Sequence, residues 1–182
     1  MSSPADRSPG VFHRDPATAV LVARIGLIDG RIEAAALTAL ADAVADVGAD
    51  HIQLTAHHRL EVHGIADRHV GEFGDRLADA GLGAPLAVPV HREGDGMDPQ
   101  VGWFAHGDGL VRVGAVTAHG RLSAEQAKYA GAIGVPVTIT RRREIVIDGI
   151  GEAVADTVVR VLAPLGFIFD ANSEWASPAA VD

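Results

Sequence analysis

The chain has 182 residues, of which 48% are apolar but only 4% aromatic, so any core must consist mainly of aliphatic side chains. Its 15 basic and 24 acidic side chains give a net charge of −9, which argues against nucleic acid and anionic membranes as partners. Cysteine is absent, which excludes disulfides, thiolate nucleophiles and any iron–sulfur cluster held by cysteines of this chain.

The two ends of the sequence predict flexible tails on a cytoplasmic protein. Residues 1–16 and 169–182 are rich in Ser, Pro, Asp and Ala, a composition that rarely builds a packed core. The N-terminal tail lacks the apolar stretch of a secretory signal peptide. No apolar run reaches the roughly 18 residues that a membrane span needs, so no membrane partner is expected.

Residues 17–82 predict a first unit with the order β-α-β-β-α. The strands are indicated by β-branched runs or by polar–apolar alternation, and the helices by apolar residues at three- and four-residue spacing. In chain order, the predicted elements are a strand over 20–25, a helix over about 33–47, strands over 51–56 and 60–65, and a helix from Asp67 to Gly81.

A linker over residues 83–100, rich in Pro and Gly, leads to a second unit over 101–168 with the same order. Ser123 and Gln126 have the spacing of a capping box, which fixes the start of the first helix of this unit. The other predicted elements are strands over 110–116, 135–140 and 144–150, and a helix over 152–165 that ends at Gly166.

The two units align as an internal repeat. Gly30 and Gly120 are 90 residues apart, whereas Gly64 and Gly149 are 85 apart, so the second copy is five residues shorter within its first helix. One unit alone would leave an apolar sheet face uncovered. We therefore predict an α+β fold in which two β-α-β-β-α halves pair about a pseudo-two-fold axis.

Several segments carry a resemblance to a known family. The hairpin at 54–65 reads LTAHHRLEVHGI, similar to the signature L-T-x-R-x-N-L-Q-L-x-G-L, and ITRRREIVI at 139–147 is similar to a segment with L-T-P-W-R. The remaining matching segments are PGVFH at 9–13, VARI at 22–25, GRI at 30–32 and LGFIFD at 165–170. In this order they resemble the ferredoxin-like half-domains of nitrite and sulfite reductases, and most of all precorrin-3B synthase of cobalamin biosynthesis.

The resemblance implies two ferredoxin-like halves that support a sirohaem beside an iron–sulfur cluster, with basic hairpin residues holding the porphyrin carboxylates. Guanidinium groups suit this role because they pair with carboxylates bidentately. On this sequence the implied cofactor-binding residues are His57, Arg59, Arg141 and Arg143. The expected ligand is a tetrapyrrole such as sirohaem or a precorrin, contacted without covalent or cysteine attachment.

The sequence departs from the family pattern at functional positions. His57 stands in place of the family arginine, Arg59 and Glu61 replace an asparagine and a glutamine, and Ser8 occupies the place of the opening cysteine. We therefore expect a nitrite/sulfite reductase-like protein without its own iron–sulfur or sirohaem centre and without assigned catalytic residues. The family is one of oxidoreductases, but autonomous redox activity is not expected of this chain.

Two other functions stay open. The chain can be a non-redox module that binds a tetrapyrrole or another polyanion, or a scaffold subunit that completes a cysteine-bearing reductase chain or forms a homo-oligomer. The basic turns can also be ordinary solvated hairpin tips. A metal site at His57, Glu61 and His63 is conceivable, because imidazole and carboxylate suit zinc or iron, but polar residues on an exposed sheet face explain the same pattern.

Overall fold

The computed structural model describes residues 12–15, 18, 20–56, 58–82 and 99–177, and these residues form a mixed α/β fold with antiparallel sheets. The elements that precede the linker are β1 (Phe12–Arg14), β2 (Leu21–Gly26), β3 (Arg31–Ile32), α1 (Ala34–Asp46), β4 (His51–Leu54), β5 (Arg59–Ile65) and α2 (Val70–Asp79). Those that follow it are β6 (Gly102–Ala105), β7 (Leu110–Thr117), β8 (Arg121–Leu122), α3 (Ala124–Ala132), β9 (Val137–Ile139), β10 (Ile145–Gly151), α4 (Glu152–Leu162) and β11 (Phe167–Ile168).

The strands form two sheets, and each sheet takes one short strand from the other unit. The first sheet has the order β1-β2-β5-β4-β8, and the second has the order β11-β7-β10-β9-β3, with β6 also paired to β7. In the first sheet, Leu122 of β8 lies opposite Ile52, whereas in the second, Ile32 of β3 lies opposite Val137. The backbone hydrogen bonds of β3 and β8 therefore join the two units directly.

One apolar cluster fills the space between the sheets and the four helices of the described chain. The largest fully buried side chains include Phe73 of α2, Leu40 of α1 and Leu162 of α4, and they belong to one cluster with sheet residues such as Ile25 and Ile145. Burying each such side chain contributes about 1.5–3 kcal/mol. The core is almost wholly aliphatic, as the composition predicts.

The sequence signals that end or begin elements have their expected geometry. The capping box at Ser123 is confirmed: its side chain accepts a hydrogen bond from the backbone of Gln126, whose side chain accepts one from the backbone of Ser123. Residues at equivalent positions of the two units also share left-handed backbone. These pairs are Asp29 with His119, Gly30 with Gly120, His58 with Arg143, Gly64 with Gly149, and Gly81 with Gly166.

Parts of both predicted tails belong to the fold. Residues 12–14 form β1, which pairs with β2, and Phe12 packs edge-on against Phe73 with ring centroids 6.3 Å apart. Near the other end, Ala176 is buried with Val101 and Val116, and Trp175 packs against them. Residues 83–98 of the predicted linker lie outside the described residues. None of the helices in the described part of the chain has the length and hydrophobicity that crossing a bilayer requires.

Candidate functional site

The first sheet has an apolar inner face and a polar outer face. Along β5, Leu60 and Val62 point into the core, so Glu61 and its neighbours of the same parity point outward. We call the opposite side of the sheet the outer face. It carries His13, Val22, Arg24, His51, Gln53, Arg59, Glu61, His63 and Arg121.

The strand register arranges these residues in rows that run across the sheet. His13 lies opposite Val22, Val22 opposite His63, and His63 opposite His51; we call these four residues the histidine row. Two residues further along each strand, a second row follows, which we call the charged row. It consists of Arg24, Glu61, Gln53 and Arg121. Arg59 lies beyond the charged row, opposite Gly26.

The charged row is held by hydrogen bonds across the strands. Arg24 Nε donates to Glu61 Oε1 at 2.9 Å, and Arg121 Nε donates to Gln53 Oε1 at 3.2 Å. Gln53 Nε2 donates in turn to the carbonyl oxygens of His119 and Gly120, each at 3.0 Å. Together with Arg59, the outer face holds three arginines and one glutamate, so it is cationic although the whole chain carries a net charge of −9.

The histidine row is partly buried and contains a stacked pair. The His51 and His63 rings are almost parallel, at 5°, with centroids 5.1 Å apart. Burial, followed by the nearby charges of Arg121 and His63, lowers the pKa of His51. Burial and the charge of Arg24 likewise lower the pKa of His13. Both imidazoles are therefore neutral near pH 7.

Polar atoms without partners are concentrated on the outer face. Among the described residues, four buried side-chain nitrogen or oxygen atoms lack a hydrogen-bond partner: His13 Nδ1, Arg59 Nε, His63 Nε2 and Thr117 Oγ1. The first three belong to the outer face. Because unsatisfied buried polar groups are costly and uncommon, these three atoms need partners from outside the protein chain, either water or a polar ligand.

The two hairpins that the sequence singles out meet at one end of this face. His58, next to Arg59, has its Nδ1 3.1 Å from the carbonyl oxygen of Ile139, two residues before Arg141. Gly30 lies next to both His58 and Ile139. Because glycine has no side chain, its backbone can lie close to these residues, whereas an added Cβ would overlap the Ile139 oxygen. Arg141 is exposed and Arg143 is half-buried. His57 lies outside the described residues.

The middle arginine of the second hairpin is turned inward. Arg142 Nε donates to Glu144 Oε1 at 3.3 Å, and its Nη2 donates to the carbonyl oxygen of Ala176 at 3.2 Å. Glu144 is only 1% exposed and also accepts hydrogen bonds from the Thr140 hydroxyl and the Gln100 backbone. Arg142 therefore anchors the C-terminal segment rather than facing a ligand.

A further polar cluster lies at the bulge in β10. Arg112 donates to Asp148 Oδ2 through Nε at 2.9 Å and Nη2 at 2.6 Å, and His106 Nε2 is 2.7 Å from Asp148 Oδ1. Partial burial alone would raise the pKa of Asp148, but the hydrogen bonds of Arg112 and His106 lower it below its usual value. In the described residues, no group of three or more His, Asp or Glu is arranged to hold a metal ion.

Sequence reasoning located the hairpins but missed the rows. Arg24, His51 and Arg121 lie on three different strands, and only the register brings them onto one face. The alternation in residues 60–65 indicated that Glu61 and His63 share one face of the sheet. The entry of Arg121 into the first sheet had no sequence signal of its own, because β8 is only two residues long.

Comparison with known proteins gives a family match for part of the chain and a structural match for most of it. Residues 13–80 match the family model of the nitrite/sulfite reductase ferredoxin-like half domain. The structure of the Mycobacterium tuberculosis NirA protein aligns with a TM-score of 0.69 and 12% sequence identity, over 84% of this chain and 58% of that chain. This chain thus spans little more than half of that relative, and the likeness shows a shared fold. No curated protein sequence gives a significant match.

Proposed function

We propose that this chain is a nitrite/sulfite reductase-like protein whose outer face binds a polycarboxylated tetrapyrrole, or a polyanion of similar size. The observation that carries the proposal is the cationic outer face with three buried, unpartnered polar atoms, on a protein that is otherwise acidic. Carboxylates would satisfy Arg59 Nε directly and would pair with the guanidinium groups of the charged row.

The dimensions of the outer face suit a flat ligand with acidic groups on its rim. Arg24 and Arg121 are separated by three strand spacings, or about 14 Å. That separation suits carboxylates on opposite edges of a tetrapyrrole. Arg59, with Arg141 and Arg143 on the adjoining hairpin, would take further carboxylates at the end where the two hairpins meet.

A complete redox centre does not fit the residues of this chain. Cluster iron needs thiolates, and none of the 182 residues is a cysteine. A tetrapyrrole such as sirohaem or a precorrin would therefore be held by charge and hydrogen bonds alone, and the chain would have no redox activity of its own. A close relationship to precorrin-3B synthase, a link to cobalamin biosynthesis and a cytoplasmic location are parts of this proposal.

The proposal includes the pairing of two ferredoxin-like halves, residues 17–82 and 101–168, about a pseudo-two-fold axis. The reciprocal placement of β3 and β8 supports it, because equivalent strands complete opposite sheets. The shared left-handed positions, such as Gly64 with Gly149, support it as well. Under this arrangement, the duplicated hairpins become equivalent walls of one binding region.

A second candidate function is that of a scaffold subunit that completes a cysteine-bearing reductase chain. The lack of cysteine among the 182 residues favours it, because the thiolates of a cluster would then come from another chain. Binding of a tetrapyrrole by the isolated chain separates the two candidates, since a pure scaffold has no need for it.

The deciding experiment is a visible-absorption titration of the full chain with sirohaem and with a metal-free polycarboxylated porphyrin. We expect saturable binding that weakens at high salt, and a loss of affinity of about ten- to a hundredfold in Arg59→Ala and Arg121→Ala. Arg160→Ala is the matched control, because Arg160 pairs with Asp156 on the exposed side of α4. A folded wild-type protein that binds neither compound would contradict the proposed function and leave the scaffold role.

A further inference from the structure

The carboxylate of Glu61 lies between an arginine and a histidine. Its Oε1 accepts a hydrogen bond from Arg24 Nε at 2.9 Å, and its Oε2 is 3.5 Å from His63 Nε2, too far for a good hydrogen bond to the neutral ring. His63 Nε2 is buried and has no hydrogen-bond partner. A proton on this nitrogen would find its acceptor in Glu61.

Charged and titratable groups surround this carboxylate on every strand of the sheet. His63 stacks on His51 of β4. His51 is in turn near Arg121 of β8 and near Asp50, which directly precedes β4. His13 of β1 is near Asp15 and Arg24 of β2, and also near Glu61 and His63 of β5. Arg59 lies on the same side of β5. Two protonated imidazoles stacked at 5.1 Å would repel each other, so the histidine row cannot gain several protons without moving or binding an anion.

Resting on the proposed function, we propose that the histidine row makes anion binding by the outer face proton-dependent. Protonation of His63 places its positive charge beside Glu61 Oε2, so that the carboxylate no longer neutralises Arg24 alone and Arg24 can pair with a ligand carboxylate. The ligand in turn favours the protonated form, because its negative charge offsets the repulsion between His51 and His63. Ligand and proton therefore bind cooperatively.

Because proton binding and ligand binding are linked, the direction in which pH changes the ligand affinity can be derived. Near neutral pH Glu61 neutralises Arg24, so that of the outer-face arginines Arg59 and Arg121 remain to attract an anion. As the pH falls, each proton taken up with the ligand raises its affinity by at most tenfold per pH unit. A tetrapyrrole released at neutral pH would be recaptured in mildly acidic conditions.

The binding test uses a tetrasulfonated porphyrin, whose sulfonates keep their negative charge while the protein titrates. We expect its affinity to rise about tenfold between about pH 7.5 and pH 5.5, with uptake of roughly one proton per ligand. His63→Gln should reduce the rise to less than about threefold. His69→Gln is the matched control, because His69 is 3.6 Å from Glu72 on α2, away from the outer face, and it should leave the rise unchanged.

A ligand-free measurement separates failure of the switch from failure of the proposed function. Nitrogen-15 spectra of the histidine rings and of Arg24 Nε, recorded through the same pH range, should show the Arg24 Nε signal changing together with the ring signals of His63. A constant Arg24 signal while the His63 signals change, or affinity independent of pH, would overturn the switch. A joint change of Arg24 and His63 without binding of any porphyrin would retain the exchange of Glu61 between these two residues and refute the proposed function.

Discussion

The two units share a topology but differ in how their helices meet. In the first unit, Arg76 of α2 donates hydrogen bonds to Asp46 of α1 and to Glu72, which closes the cleft between the helices over the buried Phe73. In the second unit, the equivalent positions hold Val161, Thr157 and Val158, and α3 has 9 residues where α1 has 13. A groove of about 220 Å³ remains between α3 and α4, lined by residues such as Tyr129, Val154 and Val161.

The two sheets differ in whether their outer surface is covered by other parts of the chain. The first sheet has the polar outer face, whereas Ala176 and Trp175 pack on the second sheet against Val101 and Val116. The two sheets thus have corresponding strand orders, whereas the surfaces that take no part in strand pairing differ. The unit with the closed helix cleft carries the candidate ligand face.

The largest expected effect tests the contrast between the clefts. Phe73→Ala removes a fully buried ring from the closed cleft, so it should lower the free energy of unfolding by about 3–5 kcal/mol. Val158→Ala removes a smaller side chain beside the open groove and should cost about 1–2 kcal/mol. Urea unfolding of both variants measures the difference. A loss below about 2 kcal/mol in Phe73→Ala would mean that the cleft of the first unit does not pack this ring tightly.

A second prediction concerns the cover on the second sheet. Glu144→Ala leaves the Arg142 guanidinium without its buried partner, so we expect a loss of about 3 kcal/mol in the free energy of unfolding. Trp175 fluorescence should also change in the folded state, because Arg142 no longer holds the carbonyl of Ala176. Asp156→Ala, at an exposed ion pair of α4, is the control and should change stability by less than about 0.5 kcal/mol. An unchanged fluorescence spectrum would count against the anchoring role of Arg142.

A third prediction tests the junction between the hairpins. Gly30 and Gly48 both have left-handed backbone, with φ of 74° and 64°, so alanine costs about 1 kcal/mol at either position. At Gly30, the added Cβ would also overlap the Ile139 oxygen and approach His58 Nδ1 to 2.5 Å, whereas at Gly48 it meets nothing within 4 Å. Gly30→Ala should therefore destabilise the protein by about 1–2 kcal/mol more than Gly48→Ala in thermal or urea unfolding. Similar losses in both variants would show that the hairpins can separate without cost.

The smallest expected effect is the pH dependence of stability that arises from the outer face. The pKa values of His13 and His51 are lowered in the folded state, so the unfolded chain takes up protons first as the pH falls below about 6.5. Stability should be level above that pH and decline below it, by less than about 1 kcal/mol for each partly exposed ring. His51→Asn should flatten the decline. The pKa of Asp148 is also lowered, so its contribution is lost only below about pH 3.8, outside this window.

The elements of the fold could be predicted because their signals are local. The period of apolar residues, the capping box at Ser123 and the glycine at 166 specify helices and turns within a few residues. The placement of β3 and β8 could not be predicted, because a two-residue strand such as Arg31–Ile32 has too few side chains to show any period. Residues 31 and 32 form a strand only because they pair with Thr138 and Val137 of β9.

The candidate site, like the fold, could be predicted only where its signals are local in the sequence. Basic residues on a hairpin are visible in the sequence, and Arg59 was predicted in that way. The contribution of Arg24 and His51 depends on which residue lies opposite which, and a shift of one position would turn each to the other face. The inward turn of Arg142 depends on the carbonyl of Ala176, 34 residues further along the chain.

The reciprocal placement of β3 and β8 has a consequence for synthesis on the ribosome. The first sheet lacks its fifth strand until Leu122 has left the exit tunnel, and the open edge of β4 is available for wrong pairing until then. Strand β3 is made early but has to wait for Val137 before it can pair. Neither unit can complete its hydrogen bonds alone, so the growing chain passes through a long interval in which a chaperone or a second nascent copy can occupy the unfilled edge.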